Sequence, residues 1–215
     1  MKITKDRVID IIKILRESYQ RPATALNHVT PFQLLVATIL SAQCTDERVN
    51  RITPILFKKY RNPKDFARAK QSILEEEIKS TGFYKNKARN IIAASKRIVE
   101  DFNGKVPDSM ERLITLPGVA RKTANIVLSS SFKKAEGIAV DTHVKRLSER
   151  LGLSKNSDPD KIERDLMDIV PKGDWLDFNF LLVEHGRRIC QARNPLCQGC
   201  EIKSLCPYYK KLKRN

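Results

Sequence analysis

Apolar positions recur at helical spacing along almost the whole chain. Ile3, Val8, Ile11, Ile12 and Leu15 mark one face of a first helix that ends before Pro22. Thr30-Pro31 reads as an N-cap followed by proline at the first helical position, opening an apolar helix through Leu40. The next helix begins near Asp46 and is expected to kink at Pro54. Segments over 72–80 and 85–102 run up to Gly82 and Gly104, residues suited to ending a helix. A short helix starts at Asp108 or Ser109 and stops at Pro117, and others open at Lys122, Asp141, Asp158-Pro159 and Trp175. Only the short run Gly137–Val140 has any claim to be a strand, and there is no internal repeat or low-complexity linker. The pattern predicts an all-α protein.

Composition narrows the class. A chain of 215 residues has room for one or two domains with a real core. With 41% hydrophobic and 31% charged residues, collagen-like, disordered and disulfide-scaffold proteins are excluded. The longest apolar run, Leu34 to Leu40, is far short of the roughly 20 residues that cross a bilayer. The N-terminus opens on charged residues without an apolar signal core, so a soluble intracellular protein with no membrane partner is expected. Lys and Arg number 41 against 25 Asp and Glu, a net charge of +16. Without a basic amphipathic helix carrying exposed aromatics, that charge points toward nucleic acid rather than a membrane surface.

Chemistry concentrates in three places. Cys190, Cys197, Cys200 and Cys206 follow the spacing C-x6-C-x2-C-x5-C, while Cys44 stands apart. A cytosolic chain does not keep disulfides, so the cluster reads as a metal site. Zinc sites usually pair two C-x2-4-C units, of which there is one here, and four thiolates on a compact loop also suit a [4Fe–4S] cube. The spacing leaves the metal open. In Leu116-Pro117-Gly118-Val119-Ala120-Arg121-Lys122-Thr123-Ala124, proline ends one helix, glycine permits a tight turn, and a new helix opens at Arg121. Free N–H groups at such a start can bind phosphate, although an ordinary helix–helix turn has the same composition. Lys122 falls in the first turn, where the helix dipole disfavours an ammonium. In a partly desolvated setting the neutral amine is favoured and can attack an electrophilic carbon. Asp141, in Val140-Asp141-Thr142-His143-Val144, is equally well explained as an N-cap.

Together these residues resemble the endonuclease III family of helix–hairpin–helix DNA glycosylases. Four segments carry the likeness: Leu40-Ser41-Ala42-Gln43, Leu116 to Asn125, Val140 to Arg146, and the cysteine ending. Gly82-Phe83-Tyr84 and His185-Gly186-Arg187 extend it over essentially the whole chain. The resemblance implies a two-domain all-α fold. Residues 23–135 would form a six-helix domain with the hairpin, and residues 1–22 plus 136–215 a discontinuous domain holding a [4Fe–4S] cluster on the four cysteines.

It further implies a bifunctional glycosylase and lyase of base excision repair. The partner would be double-stranded DNA containing an oxidised pyrimidine or abasic site, and the enzyme a monomer in a prokaryotic cytoplasm, associated with the nucleoid. Lys122 would be the nucleophile and Asp141 the catalytic carboxylate. Gln43 would enter the gap left by the flipped base, and Phe83 would occupy the second wedge position, where an aliphatic side chain is usual. Gly118, Ala120 and Arg121 in the hairpin, with Arg187 and Arg193, are expected to meet DNA. Ala120 stands where the hairpin most often has glycine, so slightly altered phosphate packing is expected. Thr38 replaces the glutamate of the related adenine glycosylases. Lys122 argues against a mismatch (uracil or thymine) glycosylase, and keeping both Lys122 and Asp141 argues against a non-catalytic iron–sulfur binding module.

Overall fold

The computed structural model describes residues 4–19 and 24–212, and every regular element among them is helical. In chain order these are α1 (Lys5–Ser18), α2 (Pro31–Ser41), α3 (Asp46–Lys59), α4 (Pro63–Ala67), α5 (Gln71–Glu77) and α6 (Tyr84–Asp101). They continue as α7 (Met110–Leu113), α8 (Arg121–Val127), α9 (Thr142–Arg150), α10 (Pro159–Ile169), α11 (Trp175–Arg188) and α12 (Pro207–Leu212). Side-chain caps fix several starts: Thr30 Oγ1 accepts from Gln33 N, and Asp158 Oδ1 from Lys161 N. Ile3 and Pro22, which marked the expected bounds of the first helix, lie outside the described residues.

Several elements depart from the sequence pattern. The segment over 72–80 is α5 followed by a separate 3-10 turn, Lys79–Thr81. The helix expected to run to Pro117 ends at Leu113, and α3 continues through Pro54 as one element. α8 passes directly into a π-helical turn, Leu128–Phe132, which stops at Lys133 in the left-handed region. Gly137–Val140 is a buried run without strand pairing.

The chain forms two compact units. The unit Ala25–Glu136 contains α2 to α8. Its centre is α2, buried at Phe32 and from Leu34 through Leu40, which explains why that helix reads as apolar on every side. Phe66, Leu74, Ile78, Ile91, Ile98 and Leu113 complete this core with little or no exposure. The unit Met1–Thr24 with Gly137–Asn215 joins α1 to the helices of the C-terminal part. Val8, Ile11, Ile12 and Leu15 bury one face of α1 against a core that includes Leu147, Leu166, Phe178 and Leu181. Each such aliphatic side chain contributes about 1.5–3 kcal/mol of transfer free energy when fully buried. Beside them the buried Arg7 donates through Nη1 to Leu151 O and Leu205 O, both at 3.0 Å.

Candidate active site and metal centre

On the Ala25–Glu136 unit, three loops carry expected site residues. Gln43 follows α2 and is exposed with φ 53°; Phe83 precedes α6, 64% exposed with φ 48°. A phenylalanine held in the left-handed region and turned to solvent is no core aromatic. Gly118, in the turn between α7 and α8, has φ +79°. A Cβ built there would stand 2.8 Å from Asn90 Cβ on α6, so this position needs glycine for both its backbone and its space.

Ala120 does not. Its φ of −88° and ψ of 169° are ordinary extended backbone, so its methyl group introduces no strain at the start of α8. Alanine also has no side-chain acceptor for the first N–H groups of that helix. Arg121 is half-buried at the first helical position, and Lys122, next to it, is exposed. Thr38 is buried in α2 with its hydroxyl donating to Leu34 O, and Cys44 packs against the apolar core.

Asp141 belongs to the other unit, as the N-cap of α9. Its Oδ1 accepts from Val144 N at 2.8 Å, and the carboxylate is only partly buried. Two residues on, His143 receives a hydrogen bond at Nδ1 from Arg146 Nη2 at 3.1 Å, which makes that nitrogen the unprotonated one. Burial pushes the His143 imidazole below its usual range, against the opposing pull of Asp141; Arg146 and Arg187 lower it further. Arg146 Nη2 also donates to Gly186 O and Cys190 O, at 3.0 Å each. Gly186 leaves room for these side chains, since a Cβ would fall 2.8 Å from His143 Nδ1 and 2.9 Å from Arg146 Nη2 and would force them to shift. Arg187 is exposed near Glu184, and Arg193 is exposed within the first cysteine loop.

The four clustered cysteines line one cavity, together with Arg150, His185 and the apolar Leu147 and Ile202. No three His, Cys, Asp or Glu side chains among the described residues converge tightly enough for a single ion; the thiols instead surround the space. Burial pushes Cys200 up to about 11 and raises Cys197 and Cys206 as well. Opposing positive charge is built in. Arg150 Nη1 donates to Cys190 Sγ at 3.3 Å, and Arg7 acts electrostatically on Cys206 while its buried Nε and Nη2 have no hydrogen-bond partner among the described residues. Cys200 Sγ and His185 Nε2 are 3.5 Å apart, and His185 Nδ1 is 2.8 Å from the Tyr19 hydroxyl, whose own titration burial pushes up to about 12. Sequence reasoning had no signal for Arg7 or Arg150, which differ from other basic residues only in where the fold places them; His185 entered it only within the His185-Gly186-Arg187 likeness.

A helical fold with a glycine turn ahead of an exposed lysine and a four-thiol cavity defines a class known from other proteins. The sequence model described as "HhH-GPD superfamily base excision DNA repair protein" matches residues 36–172. Endonuclease III of Synechocystis is 54% identical over 207 residues, covering 96% of this chain and 94% of its own. That of Escherichia coli is 38% identical over 210 residues, covering 98% and 99%. Among solved structures, "Structure of a non-covalent Endonuclease III-DNA Complex" superposes with a TM-score of 0.92 at 40% identity, covering all of both chains. A thermostable thymine-DNA glycosylase gives 0.85 at 26% identity, covering 96% of this chain and 98% of that one. The chain belongs to the endonuclease III family.

Proposed function

We propose that the protein is a monomeric, bifunctional DNA glycosylase and AP lyase of base excision repair, acting on oxidised pyrimidines in duplex DNA in a bacterial cytoplasm, on the nucleoid. Lys122 carries this reading: an exposed amine on the first turn of α8, directly after the turn that only Gly118 fits. The damaged nucleotide leaves the stack, most cheaply where the lesion has already weakened stacking. The Lys122 amine forms a bond to the sugar C1′ while the C1′–base bond breaks, its electron pair leaving with the base. Asp141 stabilises positive charge developing on the sugar and takes the proton released from nitrogen. The C1′–O4′ bond then breaks, O4′ taking the proton held by Asp141, and the opened sugar is a Schiff base that acidifies the C2′ hydrogen. Loss of that proton expels the 3′ phosphate with the C3′–O electron pair, cutting the strand by β-elimination, and water then releases Lys122.

Gln43 and Phe83 are the side chains we assign to the gap left in the duplex, where an aromatic ring stacks on the remaining bases. Gly118, Ala120 and Arg121 present the hairpin to a phosphate, and Arg187 and Arg193 offer further phosphate contacts. The two-domain assignment, 23–135 and 1–22 plus 136–215, completes this reading.

Cys190, Cys197, Cys200 and Cys206 would hold a [4Fe–4S] cluster. Their chemistry fits one: four thiols line a single cavity, burial disfavours Cys197, Cys200 and Cys206 as free thiolates, and Arg7 and Arg150 set positive charge against an anionic group. When bound, such a cluster supplies structural cross-linking of the loop that carries Arg193.

Borohydride trapping on a duplex with one oxidised pyrimidine tests the assignment, with wild type beside Lys122→Gln. An adduct in wild type alone is expected, with DNA binding retained in the variant. Base release without an adduct would make the enzyme monofunctional; full lyase activity in Lys122→Gln would remove the lysine from its role.

A further inference from the structure

Lys87 is a charged residue in a place where charge is costly. It lies in the first turn of α6, on the face that continues through Ala88, Ile91 and Ser95, and it is 4% exposed. Its ammonium is turned inward and donates two hydrogen bonds of 2.8 Å, to Leu40 O and to Thr81 O. Burial lowers its tendency to hold a proton, partly offset by Cys44.

The two acceptors have the same structural character. Leu40 O is among the last carbonyls of α2, and Thr81 O belongs to the final residue of the Lys79–Thr81 turn. Both are helix-end carbonyls that no further N–H of their own helix reaches, and a cation satisfies them well. The chain then behaves alike after each. Gln43 comes three residues after Leu40 with φ 53°, and Phe83 two residues after Thr81 with φ 48°. Two non-glycine residues with exposed side chains are held in the left-handed region, each just beyond a carbonyl fixed by the same ammonium. Left-handed backbone at such residues persists only where surroundings over-determine it.

We infer that Lys87 is a positioning residue that clamps the Gln43 and Phe83 loops in one fixed arrangement, so that both side chains are presented together to the gap in the duplex. This rests on the assignment of Gln43 and Phe83 to that gap. The clamp sets opening of duplex DNA, and the chemistry at Lys122 does not pass through it.

That separation gives the test. Excision of a damaged base from duplex DNA needs the gap filled, whereas β-elimination at an abasic site in single-stranded DNA has no opposing strand to open. In Lys87→Met, single-turnover duplex excision is expected to fall at least tenfold while single-strand β-elimination stays within twofold of wild type. Ile98→Ala, a core truncation on the same helix, controls for lost stability: with both proteins assayed at equal distance below their melting temperatures, it should leave the ratio of the two activities unchanged. Lys87→Gln, too short to span both carbonyls, should move the ratio in the same direction and serves if the methionine variant does not fold. A parallel loss of both activities in the Lys87 variants, or no loss in either, overturns the clamp. Gln43→Ala and Phe83→Ala separate the two claims. If they lower duplex excision and the Lys87 variants do not, the clamp alone fails. If none of these substitutions lowers it, the gap-filling assignment fails and the clamp with it.

Discussion

Gly118 turns at φ +79° against Asn90, whose Cβ would stand 2.8 Å from any methyl group placed on the glycine. Asn90 lies one turn beyond Lys87 on α6. The same end of one helix therefore shapes the hairpin turn as well as the loops of Gln43 and Phe83. Arrangement of the site on this unit is a property of α6, a helix that contributes none of the reacting groups.

Gly118→Ala is accordingly expected to destabilise the protein by about 1–3 kcal/mol, from left-handed strain and the contact with Asn90 together. Ala120→Gly, two residues on, should stay within about 1 kcal/mol of wild type, because φ there is already −88°. Denaturant midpoints of the two variants check the contrast. Equal losses would mean that the turn is set elsewhere.

Gly186→Ala should act on a different group. The added methyl falls on His143 Nδ1 and Arg146 Nη2, whose hydrogen bonds also hold Gly186 O and Cys190 O. Overpacking of this kind costs about 1–3 kcal/mol. Displacement of Arg146 should also loosen the start of the cysteine loop, read as faster hydrogen exchange over residues 189–197 than in wild type.

The position of His143 has a consequence for pH. Its folded form titrates below the ordinary histidine value because burial disfavours the imidazolium. Below about pH 6.5 the unfolded chain therefore binds a proton that the folded chain does not, and stability falls as pH falls. His185 is shifted in the same direction by burial. The melting temperature of wild type should drop between neutral and mildly acidic pH. His143→Gln should flatten part of that slope, and an unchanged slope would contradict the assignment.

Removing a thiol tests the metal centre. Cys200→Ser should purify with less than a tenth of the wild-type iron and with the visible absorbance of an iron–sulfur cluster lost. Its C-terminal unit should melt at a lower temperature, since ligand binding to the folded state alone adds stability. Full iron content in the variant would remove Cys200 from the ligand set.

Much of this architecture is written in local signals. Thr30-Pro31 and Asp158-Pro159 open helices where cap and proline coincide, and Thr30 and Asp158 accept the bonds that such caps make. Asn62-Pro63 has the same form and opens α4, yet five residues give too little periodicity to register as a helix. The family motifs singled out Lys122, Asp141 and the cysteine ending as the candidates for chemistry. Arg7 and Lys87 were illegible for a physical reason: they are two of 41 basic residues, and only tertiary packing turns these two inward onto backbone carbonyls. The left-handed backbone of Gln43 and Phe83 was equally hidden, because neither residue type signals positive φ.

The contacts of Arg7 also impose an order on biosynthesis. The carbonyl of Leu205 lies 198 residues downstream of the guanidinium that holds it. At roughly 5–20 residues per second, α1 leaves the ribosome some 10–40 s before that partner has been made. The Ala25–Glu136 segment is complete well before then. The nascent protein thus matures from its middle outward, with its first helix among the last to reach its place.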